Sequence, residues 1–147
     1  METTADRNIT TVLQLSAFTQ YFFPFGNFIF PAILWSLKKD QSKFVDFNGR
    51  QAINFQLSVL LYTLFLAMVA VPVIVYAVIN GIEMNFVTPA KWDFNIQNMA
   101  GIVATTGILG LTFLGLKATE FFLIIYASVK NSNGENYKYP LTINFIK

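Results

Sequence analysis

Lys117 and Glu120 stand three residues apart, between two apolar stretches at 99–116 and 121–129. In a helix that spacing puts both side chains on one face. An ionisable residue inside a membrane helix is costly, so it marks by default a functional site such as a polar groove or an ion path. Three structural readings compete with that one: a pair that neutralises itself, a pair that faces another chain, and a Lys117 that snorkels to the interface. Asn54, Gln56 and Ser58 follow Arg50, and Gln14, Gln20 and Asn27 lie in the first apolar segment. Such amides glue helices together by hydrogen bonds, or else line a polar cavity. The chain has no Cys and no His. That excludes disulfides, thiol catalysis, Cys/His zinc sites and histidine acid–base chemistry. Asp40, Asp46 and Asp93 are scattered, and no phosphate loop or nucleophile–base set occurs. No catalytic residue, cofactor or metal is expected, and the chain does not read as an enzyme.

The elements that would carry these residues are helices in lipid. Of the 147 residues, 54% are hydrophobic and 12% charged, against about 25% charged in an ordinary soluble domain. Three stretches, 12–37, 51–82 and 94–116, contain no charge. Each exceeds the roughly 20 residues that cross a hydrocarbon core. The expected fold is therefore all-α, an integral membrane protein with three transmembrane helices at about 12–37, 52–80 and 99–129 in a single domain. The N-terminus, METTADRNITT, lacks the positive region and cleavage site of a signal peptide, so the first segment is expected to be retained.

Breaks punctuate two of the spans. The stretch YFFPFGNFIFP places Pro24 and Gly26 inside the first one. It reads as one kinked crossing or as a re-entrant hairpin, whose tip would have to be buried or line a cavity. Pro72 should kink the second helix, at a site covered by neighbouring helices. Asp46 or Asn48 can cap its start, and Gly81 can stop it. In the third, Ala100, Ala104 and Gly107 share one face, which lets another helix approach closely. In the tail, Tyr137, Tyr139, Leu141, Ile143 and Phe145 alternate with mostly polar residues, the period of an extended segment with one apolar face.

Orientation follows from the basic residues. Lys38, Lys39, Lys43 and Arg50 fall in the expected loop 38–50, and Lys130, Lys138 and Lys147 in the tail 130–147. The expected loop 81–98 has only Lys91, with Glu83, Trp92 and Asp93. The positive-inside rule puts loop 38–50 and the C-terminal tail in the cytoplasm and loop 81–98 outside. Trp35 and Trp92 then fit interfacial anchors. The four basic residues of loop 38–50 could also hold an anionic headgroup. A net charge of +2 is too small to argue for nucleic acid.

Three segments resemble a known family: the W-x-x-K-K-D end of the first helix (Trp35 to Asp40), the F-V-D…A-x-N-F-Q segment (Phe44 to Gln56), and the terminal N-G-E-x-Y-x-Y-P-L-T-I (Asn133 to Ile143). They look like the bacterial Tic-twenty-like proteins, small multispanning proteins related to a chloroplast inner-envelope import component. The resemblance covers most of the chain and implies a helical membrane domain that acts inside a larger assembly. It implies no catalytic residue.

The expectation for function is a non-enzymatic subunit or accessory of a bacterial inner-membrane complex, in protein transport or envelope biogenesis. Its partners would be membrane lipids and other membrane-protein subunits. The alternative is a homo-oligomeric channel or transporter, with Lys117, Glu120 and the amides Asn54 and Gln56 along its route.

Overall fold

The computed structural model describes residues 2–81 and 96–147. Glu83, Lys91, Trp92 and Asp93, which carried the reading of an external loop, lie outside the described residues. Among the described residues the chain forms α1 (Thr4–Leu15), a 3-10 helix (Ser16–Tyr21), α2 (Gly26–Lys38), α3 (Lys43–Gly81) and α4 (Ile96–Ser132). They divide into two compact units, Met1–Leu61 with Ala118–Lys147, and Tyr62–Lys117.

The first unit begins with a capping box. Thr3 Oγ1 accepts from the backbone of Asp6, and the Asp6 carboxylate accepts from the backbone of Thr3. This satisfies two of the donors a helix start leaves free. The box also holds the Asp6 carboxyl below its ordinary pKa. α1 buries Thr10, Leu13 and Gln14, one face at helical spacing. It then tightens to 3-10 geometry where two hydroxyls bond back three residues: Ser16 Oγ to Leu13 O at 2.7 Å and Thr19 Oγ1 to Ser16 O at 2.6 Å.

Residues 12–37 do not form one kinked helix. They fold as a helical hairpin that turns at 22–25. Thr19 O accepts from the backbone of both Phe22 and Phe23, and Pro24 has no N–H to continue the helix. Phe25 takes a left-handed conformation, φ 61. Gly26 then starts α2 directly against Thr19: a Cβ there would lie 2.6 Å from Thr19 Oγ1 and 2.8 Å from its carbonyl. The second leg is too short for a crossing, since α2 has 13 residues, about 20 Å of helix. Among the described residues two helices, not three, are long and apolar enough to cross a membrane: Lys43–Tyr76 and Val103–Ser132.

Two other expectations change. Residues 38–50 are not a loop, because α3 starts at Lys43 and only 39–42 turn. Ser42 Oγ accepts from Val45 N, so neither Asp46 nor Asn48 has to cap the helix. Pro72 lies inside α3, which runs through it, and its ring is exposed rather than covered by other helices of this chain.

α4 ends in a glycine turn. Gly134, φ 79, lies past the last helical turn, with its N–H on Asn131 O and Glu135 N–H on Lys130 O. The Arg7 guanidinium packs against Gly134, where a cation favours the negative end of the helix dipole. The two ends of the chain therefore meet in this unit. Its core is Leu13, Ala17, Val45, Phe55, Val59, Ile124 and Ala127.

The second unit consists of the remaining parts of α3 and α4. Phe65, Met68, Ile108, Leu111 and Leu114 are exposed there. A groove of about 270 Å³ runs between Leu66, Ala67 and Ala70 of α3 and Leu109, Gly110 and Phe113 of α4. Apolar surface of this extent suits lipid rather than water.

Replacing Gly26 by Ala would force the Thr19 backbone away and loosen the hairpin. We expect a loss of about 1–3 kcal/mol, the range of overpacking, read as a lower thermal midpoint in detergent; an unchanged midpoint would show that the two legs are not in this contact.

Candidate functional site: a buried amide network

The polar residues of the first unit converge on Asn48, which is fully buried. Its Nδ2 donates to Phe44 O at 2.9 Å and to Asn136 Oδ1 at 2.8 Å. Its Oδ1 accepts from Asn131 Nδ2 and from the backbone N–H of Tyr137, each at 2.9 Å. Two donors and two lone pairs are all that an amide has. Asn131, also fully buried, donates further to Glu135 O and accepts from Gln14 Nε2 at 2.9 Å. Gln14 Oε1 in turn accepts from the Tyr139 hydroxyl at 2.6 Å. The Tyr139 ring stacks on Phe55 with centroids 4.1 Å apart. One network thus joins α1, the start of α3, the end of α4 and the tail.

Further along α3, Asn54 clamps the end of the tail. Its Oδ1 accepts from the backbone of Phe145 and Ile146, and its Nδ2 donates to Ile146 O. Ser58 Oγ accepts from Ile143 N at 2.9 Å. The tail is extended, as its alternation suggested, but side chains of α3 hold its backbone and no strand forms among the described residues. Of its alternating apolar residues only Tyr139 is buried; Leu141, Ile143 and Phe145 are exposed.

The other expected site residues are dispersed. Gln56 Oε1 accepts from Asn27 Nδ2 at 2.8 Å, which ties the hairpin to α3. Glu120 is 1% exposed and accepts from Gln20 Nε2 at 3.0 Å. Lys117 is half-buried and belongs to the other unit. Ala104 and Gly107 are exposed, and a Cβ on Gly107 would meet nothing within 4 Å; Ala100 lies on the same helix. In the basic stretch, Lys38 Nζ donates to Gln41, Lys39 sits over the Trp35 ring, Lys43 is exposed, and Arg50 pairs with Asp46 at 2.6 Å. Trp35 Nε1 donates to Asp46 Oδ1. Among the described residues no group of three or more His, Cys, Asp or Glu side chains converges.

Asn48, Asn131 and Tyr139 are the residues that sequence reading missed as a site. Asn48 looked like a helix cap and Asn131 like part of a turn. The available signal was a set of Asn residues at the charged ends of two apolar helices. Amides neither give nor take protons near neutral pH, so this network holds and positions chain segments and does no acid–base work.

These features define a class: a helical membrane protein whose polar end is closed by its own tail. The chain belongs to the MamF/MmsF family, the magnetosome magnetite crystal formation protein family, whose model matches residues 5–146. No curated protein and no solved structure matches the chain. The family match overturns the Tic-twenty-like resemblance, and the expectation of protein transport goes with it. The motifs behind that resemblance have structural work here. Trp35 bonds Asp46, Asn54 and Gln56 hold the tail and the hairpin, and 133–143 form the turn and the docked tail. Residues that close a small helical unit identify its packing, not its task.

Burial pushes the Tyr139 phenol well above its ordinary value of 10.0. The folded state therefore favours the protonated form. Its stabilising contribution is complete below about pH 10 and is lost as pH rises above that. Thermal midpoints in detergent should stay flat to about pH 10 and then fall, and Tyr139→Phe should flatten that fall. An equal alkaline loss in the variant would place the sensitive group elsewhere.

Proposed function

We propose that this chain is a non-enzymatic accessory subunit of a membrane assembly for magnetite crystal formation, in a bacterial magnetosome membrane. The observation that carries the reading is the family match across residues 5–146. The chain crosses twice by α3 and α4, with the first apolar segment re-entrant. Its basic stretch and its tail face the cytoplasm, because Lys38, Lys39, Lys43, Arg50, Lys130, Lys138 and Lys147 gather at that end. The apolar exposed sides of α3 and α4 meet lipid and the helices of partner subunits. The open face at Ala104 and Gly107 is a place for such a helix.

The accessory reading is preferred to a channel for a physical reason. Asn54 and Gln56, which a channel would need on its wall, spend hydrogen bonds on the tail and on Asn27. The groove in the second unit is lined chiefly by apolar side chains, a poor route for an ion.

Complementation tests the reading. Expressed in a magnetite-forming bacterium that lacks its own family member, the chain should restore crystal size by electron microscopy. A tagged copy should co-elute with a defined set of membrane proteins. Crystals that stay defective although the protein reaches the membrane, or recovery of the chain alone, would count against the proposal.

A further inference from the structure

The tip of the hairpin is aromatic and bare. Phe22, Phe23 and Phe25 are 80%, 60% and 67% exposed, and no charged residue occurs from 12 to 37. Much of the polarity of the turn is met within it. Phe22, Phe23, Gly26 and Phe28 donate their backbone N–H groups internally, Pro24 has none to satisfy, and between 22 and 28 the N–H groups of Phe25 and Asn27 are left. Backbone can enter hydrocarbon only on those terms.

Two hydrogen bonds fix where the tip lies. Trp35, near the end of α2, bonds Asp46, and Asn27, near its start, bonds Gln56. α2 therefore runs antiparallel to α3, from the apolar part of that helix back toward its charged end, with the tip on the apolar side. Gln56 lies about 9 Å past Arg50, the last charged residue, and about 38 Å of helix continues beyond it to Gly81. The start of α2, and with it the tip, lies beside the first turns of the apolar part of α3.

We infer that the hairpin inserts into the acyl chains of one leaflet, the one on the side of the chain ends, and that the protein therefore gathers where that leaflet is convex. This rests on the re-entrant reading of the first segment. A crossing helix adds area to both leaflets. A hairpin of two helices adds roughly 160–220 Å² to one leaflet alone, taking helix diameters of about 10–12 Å. Insertion of bulky apolar groups into one leaflet responds to curvature, because a convex leaflet exposes more of its acyl region.

The chain has no cysteine, so each introduced thiol is unique. Two single-cysteine proteins, reconstituted in giant phosphatidylcholine–phosphatidylglycerol vesicles, separate the claims. In Phe22→Cys, an environment-sensitive dye should be quenched by lipids with mid-chain nitroxides. In Lys147→Cys, a membrane-impermeant dye marks only copies with their ends outside. In tubes pulled outward, their tube-to-body ratio should be roughly twofold, and adding Phe22→Asn with Phe23→Asn should return it to one. These two side chains are exposed, and an unchanged thermal midpoint in detergent checks that the double variant, which loses the Phe23–Phe30 ring contact, keeps the fold. Quenching with a ratio of one would overturn the curvature inference and leave the re-entrant hairpin standing. A dye at position 22 that lipid does not quench would overturn both. Enrichment that survives the double substitution would overturn the role of the tip.

Discussion

A buried amide must find protein partners, because neither a packed core nor a lipid interior supplies them. Asn48 meets this demand with all four of its hydrogen bonds, and much of the first unit follows from it. Its partners come from its own helix, the end of α4 and the tail. Gln14 brings in α1 through Asn131 and the Asn48 carbonyl. A network this complete is high-stakes: leaving one buried member unpaired costs about 1–3 kcal/mol. It also specifies one arrangement, since few other pairings would satisfy every atom.

The hairpin answers the same constraint by another route. Its break does not leave a ladder of bare carbonyls in an apolar setting. Ser16 and Thr19 bond back along the 3-10 turn, and Thr19 O takes two donors from the start of the loop. The Pro24-Phe25-Gly26 sequence reverses the chain with one residue in the left-handed region and one without a side chain. The hairpin, the basic stretch and the tail thereby belong to a single unit with both ends of the chain in contact, Arg7 against Gly134.

Composition and periodicity made the helical class legible, together with the two long apolar helices and the break at Pro24 and Gly26. Those features are local, and hydropathy reports them directly. The partners of the amides were not legible, because Asn48 and Asn131 lie 83 residues apart and nothing local in either position names the other. The direction of the chain after the break hung on turn geometry that proline and glycine permit but do not dictate. The tail's alternation suggested one apolar face, yet its backbone is what α3 holds, by Asn48, Asn54 and Ser58. Family resemblance misled for a related reason, since the motifs behind it are those that close this unit.

The central claim is that one buried network gathers both ends of the chain on a single side of the membrane. It is tested most directly by single-cysteine labelling at Glu2 and at Lys147 with an impermeant maleimide, in sealed right-side-out and inverted vesicles. The account predicts that both positions react in the same preparation and are protected in the other. Labelling of the two from opposite sides would contradict it.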